Sequence, residues 1–440
     1  MLREIKKVSD EGYKLIDDWH DFDKSLLSRI SEQYYKAQGI KAYNTKIVNY
    51  IPFEVSNCFP HAFSLAKIAE KIAEEKDKVK ILDLGCGSAI FARHLLIALK
   101  ELDLIDKVEL ILADYSKKLL EDIKSSKILD GFKNYTLVEM DALDPSSAKT
   151  LNGKKFELKD LDLVTMNYLY DALPAKILKP NKHKKLEKLQ FRFLQDDDGS
   201  ELQKLDDKTI CEDLNIINKL LIDTQWVEYK PKDASEIEQE YFDFVKNEPV
   251  NPLGEVIYSY GVLKVTEAML DLLSDEGVIY AADMPNRFDS QGSFRVYGNS
   301  TANDINEALV INTFIKKGFE VFFHRDANLN HYFFAKNKAA MIRQEKAINE
   351  NFVMNSVTDV FLDHKQAINS INSPYSRDLF RMILTELKKM DTHSCLSKVA
   401  QGQDCMNFGE NKNAKELFLE AKSIDFLEEY NLDDRIKSLS

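Results

Sequence analysis

The sequence predicts an α/β fold: a mostly parallel seven-stranded sheet covered by helices, with an antiparallel last strand. Three observations carry that expectation. From about residue 78 onward, short apolar runs alternate with stretches of helical spacing, which is the pattern of βαβ units. The third and fourth runs each end in a small or polar residue suited to a crevice beyond the strand ends. Towards residue 325, two aromatic-rich runs are separated only by RDANLN, whose Asp and Asn residues suit a turn, so these strands pair as a hairpin that closes the sheet.

Residues 1–76 read as a largely helical arm. VKILDL (Val79 to Leu84) is the first strand, and FARHLLIALKEL after it has helical spacing. KVELILAD (Lys107 to Asp114) is the second strand and SKKLLEDIKSS its helix. YTLVEMD (Tyr135 to Asp141) and LDLVTMN (Leu161 to Asn167) are the third and fourth. Residues 175–255 then break the rhythm with Lys-rich and Asp-rich stretches (KPNKHKKLEK, QDDDGSELQKLDDK) and helical segments such as EDLNIINKLLID and ASEIEQEYFDFVKN. Two readings of this helical insertion stand open: a solvated charged face, or a lid over the strand ends where ligands bind.

The alternation resumes with the helix VTEAMLDLLSDEG, a fifth strand GVIYAADM (Gly277 to Met284) and the helix DINEALVINTFIKKG, ending at Gly318. FEVFFH and HYFFAKN complete a domain spanning 77–337. Residues 338–440 read as a helical tail. There QGQDCMNFGENKNAKELFLEAKSID places Gly402, Gly409, Ala414, Phe418 and Ala421 at the offsets of a tetratricopeptide-like hairpin near 395–428. Small residues let two helices approach, and Phe418 fills the gap. With one such repeat and a degenerate one upstream (YSRDLFRMILTELKKM), the tail falls short of a free-standing solenoid, so an ordinary helical cap is the alternative.

Composition bounds the function. At 440 residues the chain exceeds what one core usually serves, so insertions or further domains are expected. A net charge of −13 repels nucleic-acid phosphates and anionic membrane surfaces. The 5 cysteines form no CxxC pair, which suits a reducing compartment and argues against disulfides and structural zinc. His324 and His331 flank the hairpin turn without a third ligand at suitable spacing, so no metal site is expected. The N-terminus lacks a secretory apolar run, and nothing later reaches the roughly 18 apolar residues of a membrane helix. A cytoplasmic protein is expected.

The chemistry concentrates at ILDLGCGSAI (Ile81 to Ile90), where Gly85 and Gly87 lie between a strand and a helix. A tight turn that a ligand approaches closely needs positions without a β-carbon. In the dinucleotide fingerprint the third glycine would fall at Ile90, which is bulky, so strict NAD binding is disfavoured. The segment resembles motif I of the class I S-adenosylmethionine-dependent methyltransferases, an acid followed by G-x-G-x-G, here Asp83, Gly85, Gly87 and, in place of the third glycine, Ala89. The resemblance implies a Rossmann-like fold and S-adenosylmethionine as cofactor, with Asp83, Gly85, Cys86 and Gly87 along it. Asp114, ending the second strand and followed by Tyr115, stands where such enzymes hold the ribose hydroxyls. Asp141 and Ala142 stand where the adenine amino group is met. Each acid alone has a plainer reading as a helix cap or solvated loop residue, but three at successive strand ends argue against coincidence.

MNYLYDALPAKIL is the most specific stretch. Asn167, Asp171, Ala172, Leu173 and Pro174 resemble the N-x-x-x-D-A-L-P signature of the MidA-like methyltransferases, a group that includes mitochondrial complex I assembly factors to which protein-arginine methylation is attributed. SEQYYKAQGIKAYNTKIVNYIPFEVSNCFPHAFSLA and YGNSTANDINEALVINTFIKKG also resemble that group, so the likeness spans most of residues 30–335 and the tail. It implies that Asn167 orients an acceptor amine through its side-chain carbonyl and contacts the cofactor, and that Asp171 anchors the amine or takes up its proton. Asp171 as a helix N-cap, with Pro174 early in the helix, is the alternative. The chain departs from the group at Tyr168, where better-characterised members carry Glu: a phenol lacks the charge that would hold a guanidinium. In the arm, Tyr34, Tyr35, Asn57 and His61 either cover the cofactor or pack an amphipathic helix.

The leading expectation is a methyltransferase acting on a protein side chain by N-methylation, because insertion and tail enlarge the surface around the site and the tail offers a place for a protein partner. A vestigial methyltransferase-fold assembly factor and a small-molecule methyltransferase are the alternatives.

Overall fold

The structure, a computed structural model, describes residues 3–4, 13–43, 57–196, 206–213, 216–232, 234–247, 254–284, 294–326, 329–353, 393, 395–407, 409–426, 428 and 430–439. The degenerate repeat at 375–390 lies outside the described residues. In chain order the strands are β1 (Arg3–Glu4), β2 (Tyr13–Asp21), β3 (Val79–Leu84), β4 (Val108–Asp114), β5 (Tyr135–Asp141), β6 (Asp144–Thr150), β7 (Leu161–Asn167), β8 (Lys176–Pro180), β9 (Leu186–Asp196), β10 (Leu221–Glu228), β11 (Val256–Tyr258), β12 (Leu273–Asp283), β13 (Phe294–Tyr297), β14 (Ser300–Asn303), β15 (Glu320–Arg325) and β16 (Asn330–Ala335). The helices are α1 (Leu26–Gln38), α2 (Phe59–Ala73), α3 (Ile90–Glu101), α4 (Lys117–Ser125), α5 (Asp207–Glu212), α6 (Ile216–Lys219), α7 (Glu236–Asn247), α8 (Tyr260–Leu272), α9 (Glu307–Lys316), α10 (Lys338–Ile348), α11 (Cys395–Asn407), α12 (Asn411–Ile424) and α13 (Leu432–Ser438).

These elements form two compact units: Met1–Gly39, Leu169–Asp271 and Asn286–Val321 make one, and Ile40–Tyr168, Leu272–Pro285 and Phe322–Ser440 the other. The second unit holds the sheet that the alternation predicted. Its order is β15-β16-β12-β7-β3-β4-β5-β6. β3, β4, β5, β7 and β12 run parallel, and β16 returns antiparallel to β12. The sheet has eight strands where seven were expected. β6, DPSSAKT, pairs antiparallel with β5 and is mostly polar, so it leaves no apolar alternation to read.

Burial explains why the central strands were legible. β3 and β7 are enclosed on both faces and read as near-continuous apolar runs. From β3 the chain moves to β4 and β5 on one side, then crosses to β7 on the other, so strand order reverses between β3 and β7. Ligands of doubly wound sheets bind beyond the carboxyl ends of strands at such a switch point. α2 and α3 cover one face, their buried Ala62, Ala66, Ala69, Ala92 and Ala98 allowing close approach to each other and to the strands.

In the first unit, the arm and the insertion depart from expectation. β2 is a strand, not helix, and pairs antiparallel with β9. The insertion is part strand: β8 pairs antiparallel with β9 and β9 with β10, while β11, just beyond it, returns to pair with β8 and β1 extends the sheet beside β10. Among the described residues, α5, α6 and α7 supply its helical content. Phe22, Phe191 and Phe294 pack edge-on or tilted at centroid distances of 4.8–5.6 Å, and Lys176 pairs with Asp21 at 3.0 Å and Asp23 at 3.2 Å. The segment after β7 forms a short 3-10 turn, Tyr170–Ala172, before β8, so Pro174 does not open a helix.

The tail forms a helical hairpin of α11 and α12 with Val399, Ala414, Phe418, Ala421 and Leu432 at its centre. Phe426 and Tyr430 pack on the core of the second unit, and the Arg93 guanidinium lies 5.1 Å from the Phe426 ring. A β-carbon at Gly402 would come 2.6 Å from Phe418 Cε1. Helix propensity alone favours alanine over glycine by about 0.5–1 kcal/mol, yet Gly402→Ala is expected to destabilise the hairpin by about 1–3 kcal/mol through overpacking. Hydrogen exchange of α11 and α12 amides measures the sign.

Candidate functional site

The switch point is built from backbone first. Gly85 and Gly87 take left-handed conformations, with φ of 74° and 50°. The N–H groups of Gly85 and Cys86 donate to the Ala113 carbonyl at 2.8 and 3.1 Å, tying the turn to the end of β4. A β-carbon at Gly87 would meet the Tyr43 ring at 2.9 Å, so only glycine fits beneath that aromatic. Ala89, where a third glycine was expected, is buried and left-handed at φ 61°, a conformation that costs an L-residue roughly 1–2 kcal/mol. The Cys86 thiol is buried, and burial with Asp114 and Asp83 nearby pushes it well above its ordinary range, so it stays neutral.

Two buried carboxylates flank this turn. Asp83 accepts the Thr165 hydroxyl at 2.9 Å through Oδ1, whereas its buried Oδ2 has no hydrogen-bond partner among the described residues. Burial, followed by the charge of Asp114, pushes Asp83 up to about 7. Asp114 accepts the Ser116 N–H at 2.9 Å together with the N–H groups of Gly87 and Tyr115; burial outweighs these and holds it at about 6. Three donors on a carboxylate with about four acceptor sites leave room for about one more. Among the described residues, no cation is paired with either carboxylate. Asp141 ends β5 in solvent, its Oδ1 accepting the Leu143 N–H at 2.9 Å, and Ala142 is half-buried beside it. Tyr115 and Leu143, following β4 and β5, are among the few large apolar side chains left exposed.

Asn167 ends β7. Its Oδ1 lies 3.2 Å from His61 Nε2, and its buried Nδ2 has no partner among the described residues. The side-chain carbonyl, expected to orient an acceptor amine, is turned to His61. Burial, then the neighbouring His331, lowers His61 to about 4, so its ring is neutral at pH 7. Tyr168 follows with φ 51°, its N–H held by the Ala282 carbonyl at 2.8 Å. A bulky residue in that region is an outlier of the kind found at functional sites.

Asp83, Gly85, Cys86, Gly87, Asp114, Tyr115, Asp141, Ala142, Asn167 and Tyr168 all lie in the second unit, at or just after the carboxyl ends of β3, β4, β5 and β7. Asp171 falls in the first unit, on the 3-10 turn, with Tyr34 and Tyr35 on α1 of the same unit; the Tyr35 hydroxyl is 2.9 Å from Ser300 Oγ. The Asn57 carbonyl accepts His94 Nδ1 at 2.5 Å, a packing role. Sequence reasoning missed the link from Asn167 through His61 to Tyr280, His331 and Asp326. Its only signals were a histidine on the apolar face of α2 and another within the alternation of β16. Among the described residues, no group of three or more His, Cys, Asp or Glu is arranged to hold a metal ion, and no helix is long and apolar enough to cross a membrane.

No family model matches the chain, and no curated protein matches it. Among solved structures it is similar to an uncharacterized protein from Burkholderia thailandensis, at 14% identity over 69% of this chain and 73% of that one, with a TM-score of 0.45. A second Burkholderia thailandensis protein, crystallised with S-adenosyl-homocysteine, is 12% identical over 72% of this chain and 94% of its own, with a TM-score of 0.42. A SAM dependent methyltransferase from Aquifex aeolicus is 11% identical over 65% and 98%, with a TM-score of 0.30. All three likenesses are distant.

Proposed function

We propose that this chain is an S-adenosylmethionine-dependent methyltransferase that N-methylates a protein side chain. The observation that carries the reading is the unpartnered buried carboxylate oxygen of Asp83 beside a left-handed glycine turn at the switch point. A buried anion without a counter-charge is costly, and a ligand bearing ammonium and sulfonium groups supplies that charge. The other residues fit the same molecule: Asp114 has capacity for a hydroxyl donor, and Tyr115 and Leu143 present apolar surface for a flat base at neighbouring strand ends. When bound, the cofactor supplies an activated methyl on positively charged sulfur, which a nucleophile displaces in line. The chain has only to hold that methyl, align the acceptor and exclude water. A protein acceptor is supported by the sheet of the first unit and by the docked tail, which exceed what a small metabolite needs.

Charge complementarity fixes the sign of a pH effect. Asp83 at about 7 and Asp114 at about 6, both above their ordinary value of 3.8, bind protons that a cationic ligand must displace. Affinity for S-adenosylmethionine is expected to fall by up to about tenfold per pH unit for each carboxylate as pH drops below these values. Calorimetric titration at pH 8 and pH 5.5 measures it, and a flat profile contradicts the pairing. The function itself is tested with methyl-labelled S-adenosylmethionine and cell lysate: label in the protein fraction with release of S-adenosylhomocysteine is expected. Binding without turnover would favour a vestigial assembly factor, and label confined to the low-molecular-weight fraction a small-molecule enzyme.

A further inference from the structure

A buried chain of hydrogen bonds ends on Asn167. Asp326 Oδ2 lies 2.8 Å from His331 Nε2, and His331 Nδ1 lies 2.9 Å from the Tyr280 hydroxyl. That hydroxyl is 3.4 Å from His61 Nε2, which is 3.2 Å from Asn167 Oδ1. His61, Tyr280 and His331 are buried, and the side chains of His331 and Asp326 are each only 2% exposed. Register explains the alignment. Tyr280 stands opposite Thr165 of β7, and Ala282 stands between Asn167 of β7 and His331 of β16, so all of these share one sheet face, where His61 of α2 meets them.

Proton bookkeeping along this chain has one solution when both imidazoles are neutral. A carboxylate only accepts, so His331 donates from Nε2 and its Nδ1 accepts from the Tyr280 hydroxyl. The phenol oxygen, its proton committed, accepts from His61 Nε2–H, and the same N–H serves Asn167 Oδ1. The Asn167 amide is thereby fixed with its oxygen inward. Its nitrogen, on the last residue of β7, is a buried donor with no partner among the described residues.

We propose that Asp326, His331, Tyr280 and His61 are positioning residues that aim the Asn167 amide nitrogen at the methyl acceptor, selecting a side-chain amide whose carbonyl oxygen receives that N–H. This deepens the methyltransferase reading and rests on it. A guanidinium or ammonium offers donors only and meets the Asn167 donor unpaired, whereas an amide places an acceptor oxygen next to its nitrogen. In the transfer the amide nitrogen forms a bond to the methyl carbon, the carbon–sulfur bond breaks with its electron pair kept by sulfur, and one N–H proton passes to solvent. The products are an N-methylamide and S-adenosylhomocysteine.

Three measurements on the full chain decide the matter. Protein labelled in lysate with methyl-labelled S-adenosylmethionine is hydrolysed: label recovered as methylamine is expected, and label recovered as methylarginine, methyl-lysine or, from a methyl ester, methanol overturns the proposal. Absence of any transfer, with or without cofactor binding, instead overturns the enzyme reading beneath it. Tyr280→Phe removes one hydroxyl from the chain and is expected to lower kcat about tenfold with the Kd for S-adenosylmethionine unchanged; an unchanged kcat sinks the positioning role. Nitrogen-15 spectra of the histidine-labelled unmutated protein read the tautomers directly and do not depend on a variant folding. Nε2–H at both His61 and His331 is expected, and an Nδ1–H tautomer at His61 or a doubly protonated His331 contradicts the proposal.

Discussion

Asp83→Asn is expected to make the ligand-free protein more stable at pH 8 while weakening S-adenosylmethionine at least about tenfold. The two effects share one cause. A folded-state value of about 7 against an ordinary 3.8 means that ionised Asp83 costs stability, a cost absent near pH 4 and fully present once pH rises through 7. An amide keeps the oxygen that accepts the Thr165 hydroxyl and removes the buried charge, for a gain of about 1–3 kcal/mol at pH 8 that shrinks towards zero as pH falls to 4. The same change removes the counter-charge for the cofactor. Denaturant titration across pH and calorimetry measure the two halves; a variant that loses stability at pH 8 and still binds normally would contradict the charge argument.

Gly87→Ala is expected to abolish cofactor binding and to destabilise the second unit by about 1–3 kcal/mol. The backbone at φ 50° disfavours a β-carbon by roughly 1–2 kcal/mol, and that carbon would press on the Tyr43 ring at 2.9 Å. Tyr43→Ala in the same background should recover the steric part of the loss but not the conformational part, and a double-mutant cycle separates them.

Much of this fold was legible where burial on both faces forces one chemistry on a strand. VKILDL and LDLVTMN matched β3 and β7 in both bounds, as did YTLVEMD for the half-buried β5. Legibility failed where strands are edges or carry charge. In β9, LEKLQFRFLQD, the inward Phe191 and Phe193 alternate with Gln190 and Arg192, but Lys and Glu at the start of the strand disguise the two-residue period. β2, YKLIDDWHD, hides likewise behind its acids. At the site, the glycine turn and the acids at the strand ends could be read because chemistry fixes residue type at fixed offsets. The chain from Asn167 to Asp326 could not: His61, Tyr280 and His331 come from three distant segments, and only the register of β7, β12 and β16 brings them to one face.

A crystal structure with S-adenosylhomocysteine bound tests the central claim most directly. The expected result places the ribose on Asp114, the amino group on the open oxygen of Asp83 and the base between Tyr115 and Leu143, with the sulfur turned toward Asn167. A ligand bound elsewhere, or a switch point that stays closed at saturating ligand, would contradict it.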